Sequence, residues 1–286
     1  METLHHLLSF YISITIAISK YVISALPRIK RFPSIVTLID AILSLYFRFC
    51  NLSPCTVDLD DKTTVHFWAS NHRRFDRPSL VVIHGYGGNS RWQFVRQVGL
   101  LSQKFNLYVP DLLFFGDSYS KREDRTVAFQ AKCVCEGMKG LGVGRFSVCG
   151  ISYGGYVAYR MAEIHTEMVE KVVIVSSGIG CTEEQKGEML GNIGIAALDL
   201  LLPAEPDHLR LLVNLSIYKY DPFKWAPNFI LKDFINCYKK ILEGMGRHLG
   251  GQPKLGIIKD TGHAANVDSP DSLNEMIVSF VLGGSK

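Results

Sequence analysis

The chain has 286 residues, of which 47% are hydrophobic, so it is long enough to bury one substantial core. Its formal net charge is +4 at pH 7 and no long run of like charge occurs. This excludes the electrostatic footprint of a nucleic-acid-binding protein and leaves at most mild attraction to membrane surfaces. The seven cysteines are scattered, without the spacing of a metal site. We therefore expect no metal, and reduced thiols that face the cytosol.

The first apolar segment covers residues 7–26, where Lys20 is the one charged residue. As a helix it would be about 30 Å long at about 1.5 Å per residue, enough to span a bilayer core. Arg28, Lys30 and Arg31 follow it, whereas the residues before it include no lysine or arginine. That bias keeps the rest of the chain on the cytoplasmic side. We therefore expect membrane association through this helix, with the main domain facing the cytosol; the organelle stays open.

A second apolar segment, residues 35–49, carries polar residues on one stripe at helical spacing. These residues are Thr37, Asp40, Ser44 and Arg48. The pattern predicts an amphipathic helix that either lies on a membrane or packs on the main domain. We expect membrane-associated helices and a linker at residues 1–52 and the main domain at residues 53–286. The alternative is that both N-terminal helices simply cover the domain core.

From residue 55 onward, predicted strands alternate with predicted helices, and prolines divide residues 181–245 into several helices. This alternation indicates a mostly parallel sheet with functional residues at the carboxyl ends of its strands. The predicted strands are 56–59, 63–69, 80–83, 105–110, the apolar run before residue 152, 169–175 and 254–259, and the predicted helices are 92–103, 126–141, 156–164 and 272–282.

The most informative motif is FSVCGISYGG at residues 146–155, where an apolar strand runs into Gly-x-Ser-x-Gly and a helical stretch follows. This context predicts a nucleophile elbow at Ser152. Gly150 and Gly154 lack Cβ atoms, so the two arms of the turn can pack closely. The helix N-terminus behind the serine favours developing negative charge. The alternative is an ordinary strand–turn–helix without chemistry.

Two further motifs fit acyl transfer. HGYGG at residues 84–88 follows a buried strand, and by its place in the motif the backbone N–H of Tyr86, with that of Tyr153, can hold an oxyanion. His263 follows the last predicted strand, where a histidine can reach the elbow and take the serine proton. The alternatives are a tight glycine turn that holds nothing and a structural histidine.

The order HGYGG, PDLLFFGDS, GISYGG and TGHAAN resembles the α/β-hydrolase superfamily, and within it plant-type members related to monoacylglycerol lipases. The resemblance runs from residue 55 to the C-terminus. It implies an α/β fold, a mostly parallel sheet flanked by helices, with a helical lid at about residues 179–245. His84, Asp111 and Asp117 are implied to be structural. The implied site consists of the nucleophile Ser152, the base His263 and the backbone N–H groups of Tyr86 and Tyr153.

The family places its catalytic acid after the penultimate strand, and this segment is not found. Residues 244–253 read GMGRHLGGQP, without an acid. After residues 169–175, where some relatives carry the acid, stand Ser176 and Ser177. Asp260, three residues before His263, is a weak substitute, so the acid stays unassigned. A splice variant, a faulty gene model or a genuinely shortened member would each produce this jump.

The resemblance implies a serine hydrolase that cleaves lipophilic carboxylic esters, monoacylglycerol-like ones among them, without a cofactor. Epoxide hydrolases and dehalogenases use an aspartate at the elbow, which Ser152 does not match. The alternative is a catalytically impaired ligand-binding protein of the same fold, or a truncated isoform, because the acid segment is absent. The sequence leaves the acyl chain, the alcohol and the oligomeric state open.

Overall fold

The computed structural model describes residues 34–179, 205–219, 221, 223–239, 258 and 261–283. Several predictions fall outside these residues: the apolar helix at 7–26, the acid-free stretch at 244–253, and the substitute acid Asp260. Of the strand predicted at 254–259, only Ile258 is described. The predicted lid is described in part, between residues 205 and 239.

Strands and helices alternate along the described part of the chain. In chain order they are α1 (Ile35–Phe49), β1 (Leu52–Asp60), β2 (Thr63–Ser70), β3 (Ser79–Ile83), α2 (Ser90–Phe94), α3 (Val98–Lys104), β4 (Asn106–Pro110), β5 (Tyr119–Ser120), α4 (Val127–Gly140), β6 (Phe146–Ile151), α5 (Tyr153–Ile164), β7 (Val169–Val175), α6 (Pro206–Ser216), α7 (Asn228–Lys239), α8 (Ala265–Asp268) and α9 (Pro270–Leu282).

The described strands form one sheet in the order β1-β2-β4-β3-β6-β7, with β5 paired to β2. β1 and β2 form an antiparallel hairpin, and β2 is also antiparallel to β4. From β4 through β3 and β6 to β7 every pairing is parallel. Parallel strands are covered by helices on both faces, which is why β3 is apolar from Leu80 to Ile83 and is buried along its length. The predicted α/β fold with a mostly parallel sheet is confirmed.

The sheet separates two apolar cores, because alternate side chains of a strand point to opposite faces. Val81 and Ile83 of β3 join the core beneath α4 and α5. Leu80 and Val82 join the opposite core, with side chains from α1, α2, α3 and α9. Because β3 and β6 are parallel neighbours, their carboxyl ends lie at the same edge of the sheet. The predicted site residues follow both strands at that edge.

Three predicted helices differ from the observed ones. The helix predicted over residues 92–103 is divided into α2 and α3, because Gln97 turns inward between them and donates from Nε2 to the Asn266 carbonyl at 2.8 Å. The last helix begins at Pro270 instead of residue 272, since a proline in the first turn has no N–H to lose. The helix predicted over residues 156–164 begins three residues earlier, at Tyr153 of α5.

α1 has the predicted bounds and packs on the domain. Its first turn is capped by Ser34, whose Oγ accepts from the Val36 N–H at 3.2 Å. Near its end Phe47 is fully buried, with its ring centroid 5.3 Å from that of Trp68. Packing on the domain is therefore observed. No helix within the described ranges, α1 included, combines the length and apolar character needed to cross a bilayer.

Candidate active site

Ser152 stands at the sharp turn between β6 and α5, with φ 54° and ψ −117°. This left-handed backbone is costly for a residue with a Cβ, and the flanking glycines make the turn possible. A Cβ on Gly150 would lie 2.1 Å from the Gly154 carbonyl oxygen, and one on Gly154 would lie 2.3 Å from the Ile83 carbonyl oxygen. The Ser152 N–H donates to the Val175 carbonyl at 2.8 Å. The motif therefore folds into the predicted elbow geometry.

His263 lies beside the serine, in the loop that leads into α8. Its Nε2 is 3.0 Å from Ser152 Oγ, so the structure brings the two predicted reacting side chains within hydrogen-bond distance although 111 residues separate them. His263 is exposed as a residue, yet the protein around its imidazole desolvates the ring and lowers its pKa below 6.5, which favours the neutral form that can accept a proton at pH 7. Among the described residues, Ser152 is the one hydrogen-bond partner of this imidazole.

The predicted oxyanion donors lie on the two segments that meet at the elbow. Tyr153 is the first residue of α5, and Tyr86 lies in the glycine turn after β3. A Cβ on Gly85 would lie 3.0 Å from both the Ile151 carbonyl oxygen and Ser152 Cβ, so this turn passes directly against the serine. Gly87 adopts φ 95°, which favours glycine. The arrangement places two backbone segments around the serine, as an oxyanion hole requires.

Two side chains hold the glycine turn in place. Gln93 of α2 accepts from the Gly85 N–H at 2.7 Å and donates back to the Gly85 carbonyl at 3.2 Å. His84 accepts the Leu112 N–H on Nε2 at 2.9 Å, so its Nδ1 carries the proton and donates to the Gly85 carbonyl at 2.8 Å. Burial lowers the pKa of His84, which keeps that neutral form. His84 is thus structural, as expected, whereas Gln93 was missed because its partners are backbone groups that leave no motif.

Asp111, at the end of β4, anchors the loop beneath the site. Its buried carboxylate accepts from His66 Nδ1 at 2.9 Å, the Ser90 N–H at 2.9 Å and the Asp117 N–H at 3.1 Å. Burial alone would raise the pKa of Asp111, but the hydrogen bond and charge of His66 outweigh it and bring the pKa to about 2. A Cβ on Gly116 would lie 2.3 Å from this carboxylate. The PDLLFFGDS loop therefore wraps around Asp111, whose carboxylate accepts three hydrogen bonds and has a structural role.

The same region contains one candidate group for a metal ion. His66, Asp111 and Asp117 place ligand-type atoms within 4.8 Å of one another. His66 and Asp111 already bond each other, and the Asp117 carboxylate lies 3.4 Å from Arg91. These potential metal ligands are thus already engaged in contacts with other protein side chains.

The carboxylate of Asp268, missed by sequence reasoning, fixes the histidine loop. It accepts from the N–H groups of Gly262 at 2.9 Å, Tyr218 at 2.7 Å and Lys219 at 2.9 Å. Burial would raise the pKa of Asp268, but these backbone hydrogen bonds lower it. On the other side of His263, the Ala264 N–H donates to the Ser216 carbonyl at 2.8 Å. The chain on both sides of His263 is therefore tied to the end of α6 in the predicted lid.

Fold and site define a class: the chain has the α/β-hydrolase fold. Residues 78–191 match the family model described as alpha/beta hydrolase fold. The chain is also similar to a solved membrane phospholipase A, described as a bacterial virulence factor, at a TM-score of 0.68 and 18% identity over 96% of this chain and 97% of that one. At that identity the likeness shows the fold alone.

Among the curated relatives, two illustrate the similarity over part of the chain. An uncharacterised protein of Mycobacterium tuberculosis is 35% identical over 108 residues, which are 37% of this chain and 31% of that protein. A 1-acylglycerol-3-phosphate O-acyltransferase of Arabidopsis thaliana is 31% identical over 119 residues, which are 40% of this chain and 28% of that protein. The chain thus spans about a third or less of the length of these relatives.

Proposed function

We propose that this protein is a serine hydrolase that cleaves carboxylic esters through an acyl-enzyme. The observation that carries the proposal is the 3.0 Å approach of His263 Nε2 to Ser152 Oγ at a strained elbow. A serine becomes a nucleophile when an adjacent base can take its proton. The pKa of His263, lowered by desolvation, supports that role near neutral pH.

The proposed reaction has two halves. Ser152 Oγ attacks the ester carbonyl while His263 takes the hydroxyl proton, and the Tyr86 and Tyr153 N–H groups stabilise the oxyanion. His263 then gives the proton to the departing alcohol, which leaves an acyl-serine. Water attacks the acyl-serine with His263 as base, and the collapse releases the carboxylic acid and restores the serine hydroxyl.

We propose lipophilic esters, monoacylglycerol-like ones among them, as the substrates. Aromatic side chains lie beside the elbow: the Tyr86 ring centroid is 5.9 Å from that of Phe115 and 6.3 Å from that of Tyr153. The lid helices α6 and α7 pack through an apolar cluster that includes Leu209 and Leu231. Such surroundings suit an acyl chain better than a polar group. Membrane attachment through residues 7–26, with the domain on the cytosolic side, is part of the same proposal.

The test is hydrolysis of a monoacylglycerol series and of short p-nitrophenyl esters by the full chain. Ser152→Ala and His263→Ala should each lower kcat by at least about 10³, because either change removes the acyl-transfer relay. Ser279→Ala, on the exposed side of α9, is the matched control. Hydrolysis that survives in folded Ser152→Ala would overturn the proposal.

The acyltransferase relative supports a second outcome for the same acyl-enzyme. A lysophospholipid hydroxyl could replace water in the second half, which would transfer the acyl group instead of releasing it. Adding a lysophospholipid to the assay and separating free acid from acylated product distinguishes the two. The alternative of a binding protein with impaired catalysis is not favoured by a serine and histidine within hydrogen-bond distance.

A further inference from the structure

α1 carries apolar side chains on its solvent side. Leu38, Ile42, Leu45 and Phe49 are exposed by 54%, 55%, 67% and 84%. Their spacing of four, three and four residues puts them on one line along the helix. We call these four residues the outer stripe. A surface helix of a soluble domain normally turns such a line toward the core, so this exposure needs a partner.

The polar residues of α1 fix this orientation, because they bond to the domain. Asp40 Oδ1 accepts from Trp92 Nε1 at 2.7 Å, and Ser44 Oγ accepts from Arg91 Nη1 at 3.0 Å. At the helix start, Ser34 Oγ donates to Asp233 Oδ2 of α7 at 2.6 Å. Rolling the helix to bury the outer stripe would break these bonds and leave part-buried polar groups without partners. The outer stripe is therefore held outward by the fold.

We propose that the outer stripe lies on the surface of a lipid bilayer, with α1 parallel to the membrane plane. The stripe itself contains no charged residue, and Arg48 stands exposed beside it. At about 1.5 Å per residue α1 is about 22 Å long, shorter than a bilayer core of about 30 Å, so it can lie in the interface but not cross it. Interfacial helices bury such a face about 5–10 Å into the headgroup and acyl boundary.

The chain ahead of α1 argues for lipid as the occupant. Residues 7–26 are the apolar stretch predicted to enter a membrane, and residue 26 precedes α1 by only nine positions. The basic residues Arg28, Lys30 and Arg31 lie in that short connection, where anionic headgroups would attract them. If residues 7–26 are anchored in a membrane, this short connection keeps α1 close to the same membrane surface. Because Ser34 contacts Asp233 in the middle of the lid helix α7, the proposed bilayer surface would also lie near the lid.

Site-specific photo-cross-linking tests this placement in the full chain. A benzophenone side chain replaces Leu45 or Phe49 in the outer stripe, or Ile164 at the end of α5 as the control. Ile164 is also apolar and 39% exposed, but it belongs to the helix on the opposite face of the sheet. Each variant is reconstituted in vesicles of phosphatidylcholine with a minor fraction of phosphatidylserine, irradiated, and analysed by mass spectrometry.

We expect lipid adducts at Leu45 and Phe49 at least about tenfold above those at Ile164. The control separates contact by the outer stripe from mere tethering, since all variants keep residues 7–26. Cross-links from the stripe to residues 1–33 of the same chain would overturn the proposal, as would cross-links to a second copy. Equal or absent lipid labelling at the stripe and at Ile164 would also overturn it. The proposal rests on the proposed membrane attachment through residues 7–26 but not on the Ser152 chemistry, so its failure would leave the proposed ester hydrolysis standing.

Discussion

Replacing Asp268 with asparagine should slow catalysis without changing any reacting group. The carboxylate accepts three backbone N–H groups, two on Oδ2 and one on Oδ1. An asparagine presents one oxygen and one NH₂, so at least one of these N–H groups would face another donor. Hydrogen bonds to a charged acceptor contribute about 1.5–3 kcal/mol each. In either orientation of the amide, at least one of the two hydrogen bonds that tie Asp268 to Tyr218 and Lys219, just after α6, would be lost.

The expected consequence is a lower kcat with KM little changed. A displacement of His263 by about 1 Å can cost about 10²-fold in rate, so we expect kcat of Asp268→Asn to fall about 10- to 100-fold. Asp268→Glu keeps the carboxylate and should recover part of the loss. Steady-state hydrolysis of a short ester measures both constants, and a thermal melt shows that the variant is folded.

Asp271→Asn is the matched control, because Asp271 is an exposed carboxylate in the first turn of α9. It should leave kcat unchanged. Since the pKa of folded Asp268 lies below 3.8, the stabilisation it gives is fully present above that pH and is lost as the pH falls through the folded value. Equal effects of Asp268→Asn and Asp271→Asn, or a shifted melt with unchanged kcat, would refute a positioning role.

Three further outcomes follow from the geometry. In Gly154→Ala the new Cβ would lie 2.3 Å from the Ile83 carbonyl oxygen of β3, so the free energy of unfolding should fall by about 1–3 kcal/mol or more. Gly144→Ala places nothing within 4 Å of the new Cβ and should leave the melting temperature unchanged. Because desolvation lowers the pKa of His263, kcat/KM should rise with pH through an inflection below 6.5 and then level off; an acid limb above 6.5 would be inconsistent. Asp111→Asn disrupts the buried hydrogen-bonded pair of Asp111 and His66 and should lower the free energy of unfolding in urea by about 3–5 kcal/mol. Asp117→Asn removes an exposed carboxylate and should cost less than about 1 kcal/mol, so similar losses in the two variants would contradict the buried network.

The local parts of the site were predictable from the sequence, because each depends on neighbours in the chain. The elbow at Ser152 needs small residues two positions away on either side, and the motif supplies them as Gly150 and Gly154. Helix α1 was predicted with its observed bounds because its apolar period continues from Ile35 to Phe49. The placement of His263 followed from the order of motifs.

Contacts between distant segments were not predictable in the same way. Asp268 binds N–H groups of residues about 50 positions away, and backbone donors carry no sequence signal. The one available clue was an acid five positions after His263, just before the last helix. The outward orientation of α1 was also missed, because it depends on Trp92 and Arg91 offering donors to its polar stripe. Asp260 lies outside the described residues, so its suggested role stays a prediction.

The most direct test of the account is labelling with a fluorophosphonate probe, followed by peptide mapping of the modified residue. The wild-type chain, Ser152→Ala, His263→Ala and the control Ser279→Ala are compared after each is shown to be folded. We predict modification at Ser152 in the wild type and the control, none in Ser152→Ala, and strongly slowed labelling in His263→Ala. A folded wild-type chain that the probe leaves unmodified, or labels at another residue, would contradict the proposal that Ser152 is an activated nucleophile.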